Sequence, residues 1–299
     1  MKKVAAVVVT YNRKELLLQN IESLLKQTYN YCLDILIIDN ASTDGTVNYI
    51  ADFITQKKVI YINTGKNLGG AGGFNYGIKE AYSNGFEYIW IMDDDTIPQV
   101  DALENLISAD ISLNHDNGYL ASNVLWKDDT ICLMNRQKYK YKHIEPSKYK
   151  ENLIKSTQAS FVSLFFRREV VKKIGLPIKD FFRWGDDVEY TRRMSITHNL
   201  PCYMVKNSKV NHLMGVNSGS NIAVDIPERI SRYRYAYRNE FFTYKREGFL
   251  QIGYYFMKCI YHLMKIIAYG KTPKKQRLII LVNAVREGFS FNPPIEFVE

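Results

Sequence analysis

Residues 86–96, FEYIWIMDDDT, decide the fold of this 299-residue chain. A run of mostly aromatic and aliphatic residues leads without alternation into three consecutive aspartates, Asp93, Asp94 and Asp95. Such an unbroken apolar run is typical of a strand that is buried on both faces of a parallel sheet. The aspartates then follow the carboxyl end of the strand, where open α/β sheets bind their ligands. The stretch therefore predicts an α/β fold with a site at this edge.

Three adjacent carboxylates repel one another unless a cation or a network of hydrogen-bond donors compensates their charge. Carboxylate oxygens are hard ligands that suit Mg²⁺ or Mn²⁺ bound to a diphosphate. For an isolated Asp-Asp-Asp sequence, a solvated acidic turn is the alternative. The segments before residue 86 carry the information that favours a site.

Three earlier apolar, β-branched runs, at residues 3–11, 33–39 and 58–63, predict three further strands. Leucines and isoleucines at helical spacing predict helices at residues 12–28 and 46–53, and another helix follows the third strand. This alternation of strands and helices predicts a parallel, doubly wound sheet with right-handed crossovers.

Polar residues follow every predicted strand in this half of the chain. Asn12 is also expected to cap the first helix, with Glu15 completing a capping box. Any one of these polar groups could be an ordinary loop. Together they predict a site along one sheet edge, formed by Thr10, Tyr11, Asn12, Asp39, Asn40, Asn63 and Asp93 to Asp95.

The segment from Asn67 to Gly77, NLGGAGGFNYG, places five glycines at the start of a helix. Glycine weakens helices, so this cluster needs a reason. One is close approach of the backbone to an anion at a helix N-terminus; a hinge or tight helix packing is the alternative. The spacing fits neither the dinucleotide fingerprint nor the P-loop.

Composition places few limits on function. An apolar content of 46% and a charged content of 24% are ordinary for a globular protein. The scattered cysteines, Cys32, Cys132, Cys202 and Cys259, show no metal-binding spacing and are expected to be free thiols in a reducing cytoplasm. We expect neither a signal peptide nor a membrane-spanning helix. The net charge of +9 favours an anionic partner.

Four ordered motifs resemble glycosyltransferase family 2: VVTYNR (8–13), IDNASTDGT (38–46), the glycine-rich segment and the three aspartates. The resemblance covers roughly the first 215 residues. It implies a GT-A fold, with a Rossmann-like, mostly parallel sheet flanked by helices, a nucleotide-sugar donor and an inverting mechanism. The glycines and aspartates are most similar to galactofuranosyltransferases, with rhamnosyltransferases next.

The resemblance also implies roles for individual residues. Asp39 would bind the uracil or thymine imide, while Asn67 and the glycines would flank the ribose and diphosphate. Asp93 and Asp95 would form the DxD pair, with Asp95 as the direct metal ligand. The implied nucleotide-sugar contacts are Thr10, Tyr11, Asn12, Arg13, Asp39, Asn67, Gly69, Gly70, Gly73, Asp93, Asp94 and Trp184.

Residues 181–190, FFRWGDDVEY, place paired acids beside aromatic side chains at a predicted helix start. Such an environment can tune a carboxylate as a general base, although the helix dipole alone also favours acids there. The resemblance implies that Asp187 is the base and that Asp186 contacts donor or acceptor hydroxyls. An interchange of these two roles stays open, and Gly185 shifts the register of Trp184 relative to the family.

His212 follows a strand predicted at residues 202–205, and a lone histidine is usually a packing or surface residue. The resemblance implies that it completes the metal site with Asp93 and Asp95. A set of imidazole and carboxylate ligands favours Mn²⁺ over Mg²⁺. The other histidines, His115, His143, His198 and His262, have no comparable context.

Between these motifs, the patterns predict helices at 98–111 and 169–174 and strands at 118–126 and 160–167. Residues 127–156 are polar and rich in lysine and tyrosine. They predict a loop or loose hairpin over the site, and a disordered surface insertion is equally compatible with the pattern.

From Pro227 the chain becomes aromatic, basic and helical, and we expect a catalytic domain (1–220) and a helical C-terminal subdomain (221–299). Helices packing an aromatic stripe on the main domain explain this texture. An anionic membrane surface is the second interpretation, since a lipid-linked glycan acceptor would lie there. Nucleic acid is the least favoured. We expect a cytoplasmic protein, with peripheral contact on the inner face of the membrane under the second interpretation.

The resemblance thus implies an enzyme that moves galactofuranose from UDP-galactofuranose to a hydroxyl of a bacterial surface polysaccharide. A rhamnosyltransferase using a dTDP-sugar is the nearer alternative. A polyanion-binding protein with a degenerate nucleotide site is the more distant one, and the intact acidic motifs argue against it.

Overall fold

The computed structural model describes residues 3–29, 32–145, 149 and 151–299, and one large β-sheet forms its centre. Four parallel strands make up the N-terminal half of this sheet, in the order β3-β2-β1-β4. They are β1 (Val4–Thr10), β2 (Leu33–Asp39), β3 (Ile60–Asn63) and β4 (Tyr88–Asp93). The predicted parallel sheet is therefore confirmed.

Helices cover both faces of these strands, which is why β1 is buried along its whole length. The helices of this half are α1 (Lys14–Leu25), α2 (Thr46–Tyr49), α3 (Ala51–Thr55), α4 (Gly69–Ser83) and α5 (Ala102–Ser112). Alternate β1 residues face opposite sides of the sheet: Val4, Ala6 and Val8 pack with α1 and α5, whereas Ala5 and Val7 pack with α4.

The second half of the sheet is mixed. Its strands are β5 (Thr96–Pro98), β6 (Tyr119–Trp126), β9 (Leu153–Lys155), β10 (Leu164–Arg167) and β11 (Cys202–His212), and a separate hairpin comprises β7 (Lys138–Tyr139) and β8 (Lys142–His143). The order continues β4-β10-β6-β11-β5, with β10 antiparallel to both neighbours and β6 parallel to β11. Strands β5 and β9 both pair antiparallel with the edge of β11 that faces away from β6, β9 at Tyr203–Val205 and β5 at Val210–His212.

Two predicted helix starts are wrong. Pro98 lies in the edge strand β5, opposite Val210, because an edge strand tolerates a residue without an N–H group. Asn12 has a φ of 55° and lies outside α1, whose N-cap is Arg13. Its side chain joins two loops instead, as described below.

Two other elements differ in extent. The helix predicted at 46–53 is two short helices that meet at Ile50. The strand predicted at 202–205 continues through an irregularity between Val205 and Lys209, so that His212 is its last residue.

The insertion at 127–156 contains the hairpin β7–β8 and also strand β9, which the sequence analysis did not predict. The predicted loose hairpin is confirmed for the described part. Residues 146–148 and 150 of the same segment lie outside the described residues.

The C-terminal region is helical, as predicted, and consists of α8 (Pro227–Ile230), α9 (Tyr233–Glu247), α10 (Phe249–Tyr269) and α11 (Lys274–Ser290). Tyr237, Phe241 and Tyr255 belong to an apolar cluster against which Trp184 packs. Helix packing therefore accounts for much of the aromatic pattern. Among the described helices, none has the length and apolar character needed to cross a bilayer.

The remaining helices are α6 (Arg168–Ile174) and α7 (Asp186–Arg192). The C-terminal tail is a loop, as predicted, and it returns to the sheet domain. The Leu176 amide donates to the Glu296 carbonyl at 2.8 Å, and Lys79 pairs with the Glu296 carboxylate at 2.6 Å.

Candidate active site

A cavity of about 650 Å³ lies at the carboxyl edge of the sheet, between the strand ends and helices α9 and α10. Most of the predicted site residues meet there. Its lining includes Thr10, Tyr11, Arg13, Asn67, Gly69, Gly70, Asp93, Asp94, Trp184, Asp186, Asp187 and His212. A second cavity, of about 770 Å³, opens beside the β7–β8 hairpin and contains none of the predicted residues.

The loops after β1 and β2 are tied together by side chains. Asn12 Oδ1 accepts a hydrogen bond from the Thr43 amide at 2.7 Å, and the Asn12 amide donates to Ser42 Oγ at 2.9 Å. The Lys14 amide donates to Asp44 Oδ2 at 3.2 Å, so Asp44 satisfies the start of α1 from the neighbouring loop. Asn12 thus shapes the cavity edge without lining it.

Asp39 is buried beneath the same edge. Its Oδ2 accepts from the Tyr61 hydroxyl at 2.6 Å and its Oδ1 accepts from the Ser42 amide at 2.8 Å. Burial and the hydrogen bond to Asp39 raise the pKa of Tyr61 to about 12, so the phenol remains a donor at neutral pH. Each carboxylate oxygen keeps a second lone pair with which it could accept from a ligand.

The glycines of the 67–77 segment divide into two groups. Gly69 and Gly70 line the cavity, and Gly69, with a φ of 72°, leaves no room for a side chain because a Cβ would lie 2.1 Å from the Phe182 carbonyl oxygen. Gly73 and Gly77 instead let α4 pack on the sheet, since a Cβ on either would meet Val9 or Val7 within 2.6 Å. Tight packing therefore requires glycine at Gly69, Gly73 and Gly77, while Gly69 and Gly70 also lie at the cavity surface.

The three aspartates have different environments. Asp94 is fixed by Thr10 Oγ1, which donates to Oδ2 at 2.8 Å, and by Arg13 at 3.3 Å. Asp95 accepts from Arg13 at 2.7 Å and contacts His212 Nε2 at 3.1 Å. The Asp93 carboxylate lines the cavity and has no hydrogen-bond partner among the described side chains.

Asp93, Asp95 and His212 form a cluster that fits a divalent cation. Their ligand atoms all lie within 4.8 Å of one another, and two carboxylates with one imidazole suit Mn²⁺ or Mg²⁺. Burial and the charge of Asp95 raise the pKa of Asp93 to about 6. A cation bound between Asp93 and Asp95 would offset the repulsion between their carboxylates.

Asn135, which the sequence analysis missed, orients the histidine of this cluster. Its Oδ1 lies 2.8 Å from His212 Nδ1, an arrangement that leaves Nε2 directed toward Asp95. Carbonyl partners of this kind fix the tautomer of metal-binding histidines. Asn135 lies in the 127–156 insertion, where polar composition alone did not distinguish it from a surface residue.

Trp184 and the paired acids are presented by a constrained loop. Phe182, Trp184 and Gly185 all have positive φ values, of 64°, 61° and 88°. The buried Asn239 side chain on α9 holds this loop: its amide lies 3.0, 3.2 and 2.7 Å from the carbonyl oxygens of Phe181, Arg183 and Trp184. Trp184 packs edge-on against the Tyr233 ring at 5.0 Å.

Burial raises the pKa of both adjacent acids. It raises the pKa of Asp186 to about 8, with a further contribution from the negative charge of Asp187. The pKa of Asp187 rises only to about 6, because its Oδ1 accepts from the Val188 amide at 2.7 Å and Lys138 lies nearby. The hydrogen bond from the Val188 amide and the charge of Lys138 therefore favour ionisation of Asp187 over ionisation of Asp186.

The cavity is also lined by arginines that the sequence analysis did not single out. Arg183 and Arg232 join Arg13 at its walls. Burial, together with repulsion from Arg183, Arg229 and Arg13, lowers the pKa of Arg232. This excess of positive charge suits an anionic ligand such as a diphosphate.

One histidine outside the metal cluster, His262, also belongs to the cavity. His262 lines the cavity from α10, together with Lys258 on the same helix and Tyr237 and Glu240 on α9. The sequence analysis did not single out these residues for the site, because it could not predict how α9 and α10 pack against the sheet domain.

Comparison with known proteins gives a consistent picture. The profile described as glycosyl transferase family 2 matches residues 5–175. Galactofuranosyltransferase GlfT1 of Mycolicibacterium smegmatis is 26% identical over 278 residues, covering 85% of this chain and 89% of that protein. GlfT1 of Mycobacterium tuberculosis is 25% identical over 260 residues, covering 83% and 82%.

Solved structures agree in fold. The crystal structure of S. aureus TarS residues 1–349 in complex with UDP has a TM-score of 0.54 and 16% sequence identity, covering 97% of this chain and 72% of that one. A longer TarS structure has a TM-score of 0.56, and this chain spans 44% of its length. The fold, the edge site and the profile match together place this chain in glycosyl transferase family 2, as a glycosyltransferase with a GT-A-like fold.

Proposed function

We propose that this enzyme transfers galactofuranose from UDP-galactofuranose to a hydroxyl of a bacterial surface polysaccharide, with inversion at the anomeric carbon. The observation that carries the proposal is that Asp187 shares one cavity with the sheet-edge residues and the Asp93–His212 cluster. The similarity to galactofuranosyltransferases supports the sugar, and the UDP complex of a structural neighbour supports the nucleotide.

The strand-end wall of the cavity binds the donor in this proposal. Asp39 and the loop after β1 contact the nucleotide, and the glycine-rich segment flanks the ribose and diphosphate. Asp93, Asp95 and His212 would hold the divalent metal, for which the imidazole favours Mn²⁺. When bound, the metal offsets the negative charge that develops on the diphosphate leaving group. The donor contacts are Thr10, Tyr11, Arg13, Asp39, Asn67, Gly69, Gly70, Asp93, Asp94 and Trp184, while Asn12 supports the loop after β1 and Gly73 the packing of α4.

Asp187 acts as the general base. Its carboxylate takes the proton of the acceptor hydroxyl while that oxygen bonds to the anomeric carbon and the bond from this carbon to the diphosphate oxygen breaks. A single displacement inverts the configuration and needs no covalent sugar–enzyme intermediate. Asp187 is preferred to Asp186 because the Val188 amide and the nearby Lys138 favour its ionised form. Asp186 contacts a hydroxyl of the donor or acceptor sugar.

Calorimetric titration of UDP and dTDP, each with and without Mn²⁺, tests the donor assignment. We expect UDP to bind more tightly than dTDP and to depend on Mn²⁺. A preference for dTDP would favour the rhamnosyltransferase alternative. Failure of both nucleotides to bind would favour a polyanion-binding protein.

Residues 1–220 would form the catalytic domain, and residues 221–299 a subdomain that completes the cavity and contacts an anionic membrane. Helix α10 exposes an apolar stripe that includes Leu250, Met257, Ile260 and Met264, which are 84%, 67%, 56% and 64% exposed. From Gly248 to Arg286 the chain has no acidic residue but seven lysines and arginines. Apolar residues flanked only by cations suit an anionic headgroup surface on the cytoplasmic face, where a lipid-linked acceptor would be found.

Sedimentation with phosphatidylglycerol vesicles tests this contact. Ile260→Glu should abolish binding to the vesicles, since it places a negative charge within the stripe. Ile111→Glu is the matched control, because Ile111 is equally exposed, at 58%, but lies on α5. Equal binding of both variants would contradict the assignment.

A further inference from the structure

Helices α9 and α10 bring polar side chains to the part of the cavity that contains Asp187. Tyr237 and Glu240 are three residues apart on α9, and Lys258 and His262 are four apart on α10, so that each pair occupies one face of its helix. All four residues line the same cavity as Asp187. The proposed base and these four groups therefore share one space.

The four groups are linked across the two helices. Lys258 Nζ donates to Glu240 Oε1 at 2.5 Å, and the Tyr237 hydroxyl lies 2.8 Å from His262 Nδ1. Each link leaves hydrogen-bonding capacity unused. Within the described part of the chain, Glu240 Oε2 and His262 Nε2 have no hydrogen-bond partner, and the Lys258 ammonium has one.

A fifth polar group comes from the hairpin insertion. Lys138, in β7, lies within electrostatic reach of Asp187, Glu240 and Lys258. Its ammonium group makes no hydrogen bond or ion pair with the other described residues. The two helices thus place donors and acceptors with unused hydrogen-bonding capacity around the cavity, and the hairpin adds a positive charge that acts on them from outside its lining.

Helix packing alone does not require this arrangement. The packing face of α10 is formed by Tyr255, Cys259 and Ile266, which are 0%, 6% and 0% exposed and belong to the apolar cluster. Lys258 and His262, the polar pair of the same helix, instead face the cavity that contains Asp187. Because polar groups with unused hydrogen-bonding capacity are costly to remove from water, their convergence on a cavity is typical of a ligand site.

We propose that Tyr237, Glu240, Lys258 and His262 form the subsite for the acceptor sugar ring whose hydroxyl Asp187 deprotonates. A carboxylate, an ammonium and an imidazole offer both acceptors and donors, and each sugar hydroxyl is both a donor and an acceptor. The subsite therefore selects a glycan with several ring hydroxyls. The proposal rests on the proposed function, in which Asp187 is the base.

Saturation-transfer NMR tests the subsite with UDP and three probes, the methyl glycosides of β-galactofuranose, β-galactopyranose and α-rhamnose. With diamagnetic Mg²⁺ present, we expect signals from UDP and from at least one glycoside with the wild-type enzyme. Glu240→Gln and His262→Leu should reduce the glycoside signal at least fivefold and retain the UDP signal, which also reports that the variants are folded.

Lys265→Met is the matched control, since it removes a lysine of α10 that does not line the cavity; it should behave like the wild type. A UDP signal without any glycoside signal in the wild type would overturn the subsite alone, as would glycoside signals unchanged in both variants. Absence of the UDP signal from the wild type would instead overturn the proposed function.

Discussion

The two walls of the cavity are built differently. The strand-end wall, which we propose binds the donor and call the donor wall, consists of loops that directly follow β1, β2 and β4. Its side chains bind one another, as Thr10 and Arg13 bind Asp94. The opposite wall combines the Trp184–Asp187 loop with side chains of α9 and α10, which lie some fifty to seventy-five residues further along the chain. The donor wall therefore depends on the sheet, and the opposite wall depends on how the C-terminal helices pack against it.

The walls should thus be separable by mutation, and replacement of the proposed base, Asp187, should separate them most. Asp187→Asn should lower kcat by about 10³-fold, within the range that a general base supplies, because an amide takes no proton from the acceptor. UDP affinity should change by no more than a few fold, since it depends on the donor wall. Transfer assays and calorimetry on the same preparation measure both quantities.

Asp180→Asn, at an exposed position of the same segment, should behave like the wild type. Normal turnover of Asp187→Asn would move the base to Asp186 or elsewhere.

The next-largest loss of kcat should come from a change at Asn239, which joins α9 to the Trp184–Asp187 loop. Asn239→Asp keeps the shape of the side chain but removes the amide donors to the Phe181, Arg183 and Trp184 carbonyls. A shift of the loop by about 1 Å would lower kcat by about 10²-fold. UDP affinity should again be retained.

Asn283→Asp, on the exposed face of α11, is the control for the added charge. If Asn239→Asp left kcat unchanged, the loop would hold its geometry without α9.

A mutation in the donor wall should instead weaken the binding of the metal. Asn135→Leu removes the acceptor that orients His212, and the affinity for Mn²⁺ should fall by about 10- to 100-fold. Asn135→Asp retains an acceptor oxygen and should bind Mn²⁺ nearly as the wild type does. The measurement is the Mn²⁺ concentration that gives half-maximal turnover. If Asn135→Leu and Asn135→Asp reached half-maximal turnover at the same Mn²⁺ concentration, the contact of Asn135 with His212 would have no role in metal binding.

The smallest expected effect is the change of activity with pH. Burial raises the pKa of Asp187 to about 6, and the base must be deprotonated to act. Activity should therefore be constant above that pKa and fall about tenfold for each pH unit below it, whereas an ordinary carboxylate would stay active to about pH 4. The pH profile of kcat/KM measures this. A profile that is flat down to pH 4.5 would show that Asp187 is not the base.

The sequence predicted the donor wall well because its chemistry is local. Each polar residue follows an unbroken apolar run, and parallel strands bring their carboxyl ends to the same edge. The strand before His212 was predicted too short, since polar residues in Cys202–His212 conceal an irregular strand.

The opposite wall could not be predicted in the same way. In sequence, His262 and Lys258 resemble other polar residues of an amphipathic helix, and only the packing of α10 beside α9 directs them into the cavity. Asn135 and Asn239 act through side-chain contacts to residues 77 and 55 to 58 positions away, which no local pattern records.

Turnover of candidate donors tests the central claim most directly. Wild-type enzyme with Mn²⁺ would be given UDP-galactofuranose, UDP-galactopyranose or dTDP-rhamnose, and nucleoside diphosphate release would be measured with each of the three methyl glycosides as acceptor. We predict release from UDP-galactofuranose that is stimulated by acceptor and lost in Asp187→Asn. Release from dTDP-rhamnose alone, or acceptor-stimulated release that persists in Asp187→Asn, would contradict this assignment.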